Sequence, residues 1–152
     1  MLPNITRTLV VAASLLAGHG YAFALTPLAQ PEPFAEVDPG RSEPFVGAWA
    51  ISIPTMDVAV PDSVLASCDL PVRIQAADDT HIFSLGPRET EADAAIELQR
   101  LDGGAMWEPI AGGPSFFAFW VSADVFYLYD QVPKAEADWG LPYVYRRCSG
   151  IS

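Results

Sequence analysis

From residue 46 to residue 148 the chain keeps returning to a period-two alternation of apolar and polar residues, and helical periodicity is nearly absent. This constrains the fold more than any other feature. Successive side chains on a strand point to opposite faces, so only a half-buried sheet uses such a pattern. Residues 46–53 put Trp49, Ile51 and Ile53 on one face, and residues 69–76 do the same with Leu70, Val72 and Ile74. Residues 80–85 form a short apolar run entered through Asp78-Asp79, and residues 94–101 set Ile96 and Leu98 against Glu97 and Gln99. Asp102-Gly103-Gly104 is a hairpin signal, because glycine takes the positive φ of a tight turn. Further strands are predicted over 105–110, 115–121, 125–130 and 143–148, with turns at Gly112-Gly113-Pro114 and Ser122-Ala123-Asp124. Residues 133–140 read as one helical turn stopped by Gly140.

About eight short strands joined mostly by short loops predict an all-β, antiparallel fold. An up-and-down barrel removes exposed strand edges, and a β-sandwich is the alternative. A barrel of this length is expected to be filled by its own side chains.

The ends read differently. Residues 1–24 have the form of a signal peptide: Arg7 in the n-region, a short apolar run over 9–17, and Ala22-Phe23-Ala24 before the expected cleavage. Gly18, His19 and Gly20 interrupt a run that would need roughly 20 apolar residues to span a bilayer. Removal of the peptide leaves 128 of the 152 residues, a periplasmic or secreted protein of one domain. Residues 25–45 hold Pro27, Pro31, Pro33, Pro39 and Pro44, which exclude a helix or central strand and predict an extended arm ahead of a barrel at 46–152. In an oxidising compartment Cys68 and Cys148 are expected to pair.

Charge narrows the function classes. Loss of residues 1–24 removes Arg7 and no acid, so seven basic side chains face 19 acidic ones, a net charge of −12. That excludes nucleic acid as a natural partner and argues against anionic lipid, since both need a basic face. A protein partner, above all a basic one, remains open.

Phe45-Val46-Gly47-Ala48-Trp49 resembles the G-x-W motif that opens the first strand of the calycins. That superfamily includes lipocalins, fatty-acid-binding proteins, avidins and small periplasmic inhibitors of bacterial metalloproteases. In calycins a basic residue on the last strand commonly packs across the tryptophan, which implies that role for Arg146 or Arg147 beside Gly47 and Trp49. In the calycin-like inhibitors the amino-terminal segment enters the protease cleft while the barrel holds it. The resemblance thus places Leu25, Thr26 and Pro27 at the head of an inserting segment that runs to Pro33.

Seven aromatic residues fall within 116–129. Phe117 and Phe119 share one face, and Phe116 and Trp120 the other. A barrel wall needs one apolar face, so the surplus predicts a covered outer surface. Phe116, Trp120 and Phe126 are the candidates for a partner surface, with coverage by the arm as the alternative. Glu89, Glu91 and Asp93 read as a solvated acidic loop, and Asp78, Asp79 and His81 as a hairpin turn. No metal or cofactor set is expected. One histidine after cleavage, His81, gives a nucleophile little support, so no catalytic residue is assigned. Three function classes stand: a binding or inhibitory module, a carrier of a small apolar ligand, and an accessory subunit of the cell envelope.

Overall fold

The computed structural model describes residues 32–53, 66–130 and 142–150. The expected signal peptide at 1–24, Leu25, Thr26 and Pro27 of the expected inserting segment, and the turn expected at 133–140 lie outside these residues. Eight strands form a closed antiparallel barrel: β1 (Gly47–Ser52), β2 (Val72–Ala76), β3 (His81–Leu85), β4 (Ile96–Leu101), β5 (Gly104–Pro109), β6 (Phe116–Ser122), β7 (Val125–Tyr129) and β8 (Tyr143–Arg147). Each strand pairs with its chain neighbours, and β8 closes on β1 with Trp49 opposite Arg147 and Ile51 opposite Tyr145. The fold is therefore the up-and-down barrel that the alternation predicts, rather than the sandwich.

Two strands start later than expected. Pro71 has no amide to give a ladder, so β2 begins at Val72, and Leu70 stays 41% exposed in a small bridge to Ser67. β4 begins at Ile96 because residues 93–94 bend away, which leaves β3 and β4 in register at His81–Glu97 and Ile82–Ile96, with the Leu98 amide donating to the Thr80 carbonyl just ahead of β3 at 2.8 Å.

The interior is aromatic. Trp49, Trp107, Trp120, Phe45, Phe126 and Tyr145 meet one another, with Phe126 stacked on Tyr145 at 4.5 Å and edge-on to Trp49 at 4.8 Å. Phe45 contacts Trp107, Trp120 and Phe126 at 5.4, 4.9 and 5.3 Å. Fully buried Ala105 and Ala118 make room for these rings, the large–small alternation by which a small barrel fills its own centre.

The second half of the Pro-rich segment belongs to this core. A 3-10 turn at Glu43–Phe45 drops Phe45, 0% exposed, into the barrel, and Phe34 and Val37 pack on the same cluster. The expected boundary at residue 46 is therefore too late. The prolines exclude regular structure but not burial. Cys68 and Cys148 form a disulfide across a sequence separation of 80, as expected. Closing a loop of that length contributes about 4 kcal/mol on the chain-entropy view.

Candidate functional site

The antiparallel order gathers the hairpins after β2, β4 and β6 at one end of the barrel, with the start of β1 and the end of β8. That end is closed by a latch. The Arg147 guanidinium lies 4.3 Å from the centroid of the Trp49 ring. It donates to the Val46 carbonyl at 2.8 Å, to the Pro44 carbonyl at 2.7 Å and to Asp124 Oδ1 at 3.1 Å. The planar five-donor fork of arginine is what allows one side chain to hold two carbonyls and a carboxylate while it covers a ring. Trp49 adds a bond from its indole nitrogen to the Phe45 carbonyl at 2.8 Å. Gly47 is required here: its φ is +142°, and a Cβ would sit 2.9 Å from Arg147 Nη1. The Gly47/Trp49 motif and its basic partner thus occupy the positions the resemblance implies, with Arg147 in that role. Arg146 lies beside it on β8, opposite Ala50 and Val125.

The arm is fixed over the same end. The Phe34 amide donates to the Trp120 carbonyl at 3.0 Å, and the Ser42 amide to the Asp79 carbonyl at 2.9 Å. Arg100 pairs with Asp38 at 3.3 Å and Arg41 with Asp79 at 3.1 Å, both exposed contacts of small energy. A groove of about 280 Å³ runs between the arm and the β4–β5 turn, with Phe34, Val37, Leu101 and Trp120 among its lining residues. The turn that carries Ser42's partner is itself ordered by Asp78. The Thr80 amide donates to the Asp78 carboxylate at 2.8 Å, and that bond, helped by His81 at 2.8 Å, lowers the carboxyl below its ordinary value.

The predicted partner surface needs correction. Trp120 and Phe126 are 1% and 0% exposed and lie inside the barrel, with Phe116 packed against the same inner cluster. Both faces of β6 are apolar, so alternation separates them without telling which is inner. The outward aromatics are Phe117, Phe119 and Tyr129, a separate buried cluster flanked by Val121 and Tyr127. The Phe117 ring lies over Gly104, where a Cβ would meet it at 2.7 Å. Burial, with Tyr127 nearby, pushes the Tyr129 phenol up to about 12. Inside the barrel, burial and then Tyr143 push the Tyr145 phenol up as well.

At the opposite end, Glu89, Glu91 and Asp93 lie on the β3–β4 connection rather than on a strand. The Glu89 carboxylate folds back onto the Gly86 amide at 2.6 Å. Among the described residues, no group of three histidine, cysteine or acidic side chains is placed to hold a metal ion, and no helix is long and apolar enough to cross a membrane. Two features of the structure have no regular pattern in the sequence. Phe34, Val37 and Phe45, the apolar positions of the arm, were the available signal for its docking. The indole nitrogens of Trp107 and Trp120 are buried without an acceptor among the described residues, which no sequence pattern reveals. No family model matches the chain, and comparison with curated proteins and with solved structures gives no match.

Proposed function

We propose that the mature protein is an exported, non-enzymatic binding module that engages a protein partner. The observation that carries this reading is the packing of the barrel's centre by its own rings, from Phe45 to Tyr145, which directs recognition to the outer surface and the arm. The finer reading is a calycin-like inhibitor of an exported hydrolase or protease. Leu25, Thr26 and Pro27 lead the segment that would enter the enzyme's cleft, and behind it, among the described residues, Pro33 lies over Gly103 and Phe34 is bonded to Trp120. Prolines suit that role, because a stiff extended peptide loses less entropy on binding. The strong acidic charge would speed encounter with a basic enzyme.

The experiment is an inhibition assay of secreted bacterial zinc metalloproteases with the full mature chain and with one lacking residues 25–31. Inhibition by the first and not by the second supports the inhibitor reading, and equal inhibition by both moves the contact off the arm. No inhibition by either leaves only the coarser binding reading.

A second reading, carriage of a small ligand, is favoured by the indole donors of Trp107 and Trp120, which are buried without an acceptor among the described residues. A buried donor without an acceptor costs about 1–3 kcal/mol, so a ligand that brought a carbonyl or carboxylate to them would be held there. Native mass spectrometry of protein purified from an expressing cell checks it: a retained small molecule supports carriage.

A further inference from the structure

The seam between β1 and β8 carries two ties on opposite faces. On the inner side Arg147 lies over Trp49, the residue opposite it in the ladder. Cys148 continues that ladder by one residue, its amide donating to the Ala48 carbonyl at 2.9 Å, so its side chain leaves on the outer side. Its partner comes from the far side of β1. The Ile51 amide donates to the Ala66 carbonyl at 2.8 Å, and a turn bridged at Ser67 and Leu70 brings Cys68 back to within 5.4 Å of Cys148 between Cα atoms. The outward positions of β1 on this path are Ala48 and Ala50, whose small side chains leave the link room to cross.

The two sulfurs have unlike surroundings. Cys148 is 4% exposed, whereas Cys68 is exposed along with Ser67, Asp69 and Leu70. A thiolate displaces at sulfur in line with the bond that breaks, so it needs open space beyond the atom it attacks. The solvent side of the turn offers that approach to Cys68, and burial closes it at Cys148. The turn is also lightly attached. Among the described residues, the bond from the Ile51 amide is the hydrogen bond that joins it to the barrel, with partly buried Ala66 packed on the core. Breaking the disulfide would free the tip of the turn. The β1–β8 pairs from Trp49–Arg147 to Ser52–Val144, and the Arg147 latch, would keep the barrel closed.

We propose that Cys68 is a thiol-exchange site and that its partner is a protein dithiol. The partner's thiolate attacks the Cys68 sulfur, the Cys68–Cys148 bond breaks, and Cys148 leaves as a thiolate that takes up a proton. Cys148 is held beside the mixed disulfide by its bond to Ala48, so it would displace a monothiol and restore the bridge. A second thiol on the partner prevents that return. It attacks the partner's own sulfur in the mixed disulfide and releases Cys68 as a thiolate, which is protonated in turn. This chain gains two electrons and two protons, and the partner is oxidised to an internal disulfide. The product is a folded barrel with the 66–70 turn loosened on its outer face. The exchange does not depend on what the arm binds.

The test uses the mature, oxidised protein under native conditions. The rate of reduction by dithiothreitol should rise linearly with its concentration, because the sulfur is open in the folded state. A rate that levels off at the rate of unfolding would overturn the site. With reduced glutathione as a monothiol probe, quenching in excess N-ethylmaleimide and tryptic mapping should find glutathione on Cys68 at least about tenfold over Cys148. Equal labelling, or more on Cys148, overturns the direction of attack. At equal thiol concentration, dithiothreitol should open the bridge fully and glutathione should leave most of it closed. Equal reduction by both removes the need for a dithiol. Backbone NMR of the reduced protein should show shifts at Ile51, Cys148 and residues 66–70, with Ile74, Phe119 and Phe126 in place. The double variant Cys68→Ser, Cys148→Ser should reproduce those shifts without reductant. A collapsed spectrum in either would overturn the local release.

Discussion

The Arg147 guanidinium covers the Trp49 ring at 4.3 Å and, in the same position, donates to the carbonyls of Pro44 and Val46. One side chain therefore ties the last strand, the first strand and the turn before it. Arg147→Lys keeps the charge but cannot reach two carbonyls and lie flat on the ring. It should destabilise the protein by about 2 kcal/mol, read from chemical denaturation, with Gly47→Ala costing at least as much because a Cβ there meets Arg147 at strained φ. A Gly47→Ala protein as stable as the wild type would show that the latch contributes nothing.

Trp49→Ala tests the other half of the pair. Trp49 is 0% exposed and meets Phe126 and Trp120. Truncation of a large aromatic in a packed core costs about 3–5 kcal/mol. The urea midpoint of the variant reports it.

How much of this was legible in the sequence depends on what kind of choice each residue makes. Strand positions follow from alternation, and the hairpin at Asp102-Gly103 from its chemistry, so the barrel could be read. The latch was legible only through the resemblance, since the G-x-W of the calycins implies a basic residue of the last strand across the tryptophan, and Arg146 and Arg147 both qualified. Which face of β6 is inside could not be read from Phe116, Phe117, Phe119 and Trp120, since all four are large and apolar. The small residue between them, Ala118, was the usable clue, because inner positions must alternate in size to fit. The arm was opaque for a related reason. Five prolines dominate its pattern, and a segment without regular structure gives no period by which Phe34, Val37 and Phe45 could be seen to share a side.

Alkaline pH should unfold the protein through its tyrosines. The folded-state phenols of Tyr129 and Tyr145 are raised, Tyr129 to about 12, above the ordinary value near 10. The folded state therefore keeps protons that the unfolded state releases. Their contribution is fully present below about pH 10 and is lost as pH rises through the folded values. Tyr145→Phe cannot ionise, so it should leave stability at pH 7 within about 1 kcal/mol and move the alkaline midpoint upward. Circular dichroism across the pH range measures both.

Reduction of Cys68–Cys148 frees an 80-residue loop in the unfolded chain. The expected loss of about 4 kcal/mol should lower Tm by roughly ten degrees or more, measured calorimetrically with and without reductant. An unchanged Tm after confirmed reduction would show that the unfolded chain is already restricted.

The arm gives the last prediction, and its boundary is what matters. Described contacts begin at its amino-terminal side with Pro33, which lies over Gly103 beside Phe119, and Phe34, which is bonded to Trp120. Val37 packs on the main cluster and Asp38 pairs with Arg100. Deleting residues 25–40 removes all of these and uncovers the groove next to Trp120. The loss of partly buried Phe34 and Val37 should cost roughly 2–4 kcal/mol, lower Tm by about ten degrees and increase binding of an apolar dye. Deleting residues 25–31 stops short of every one of those contacts. If that segment serves a partner and not the fold, this shorter truncation leaves Tm within about two degrees while binding falls. A large drop in Tm with the shorter deletion would make residues 25–31 part of the structural cover and withdraw the arm from the binding reading.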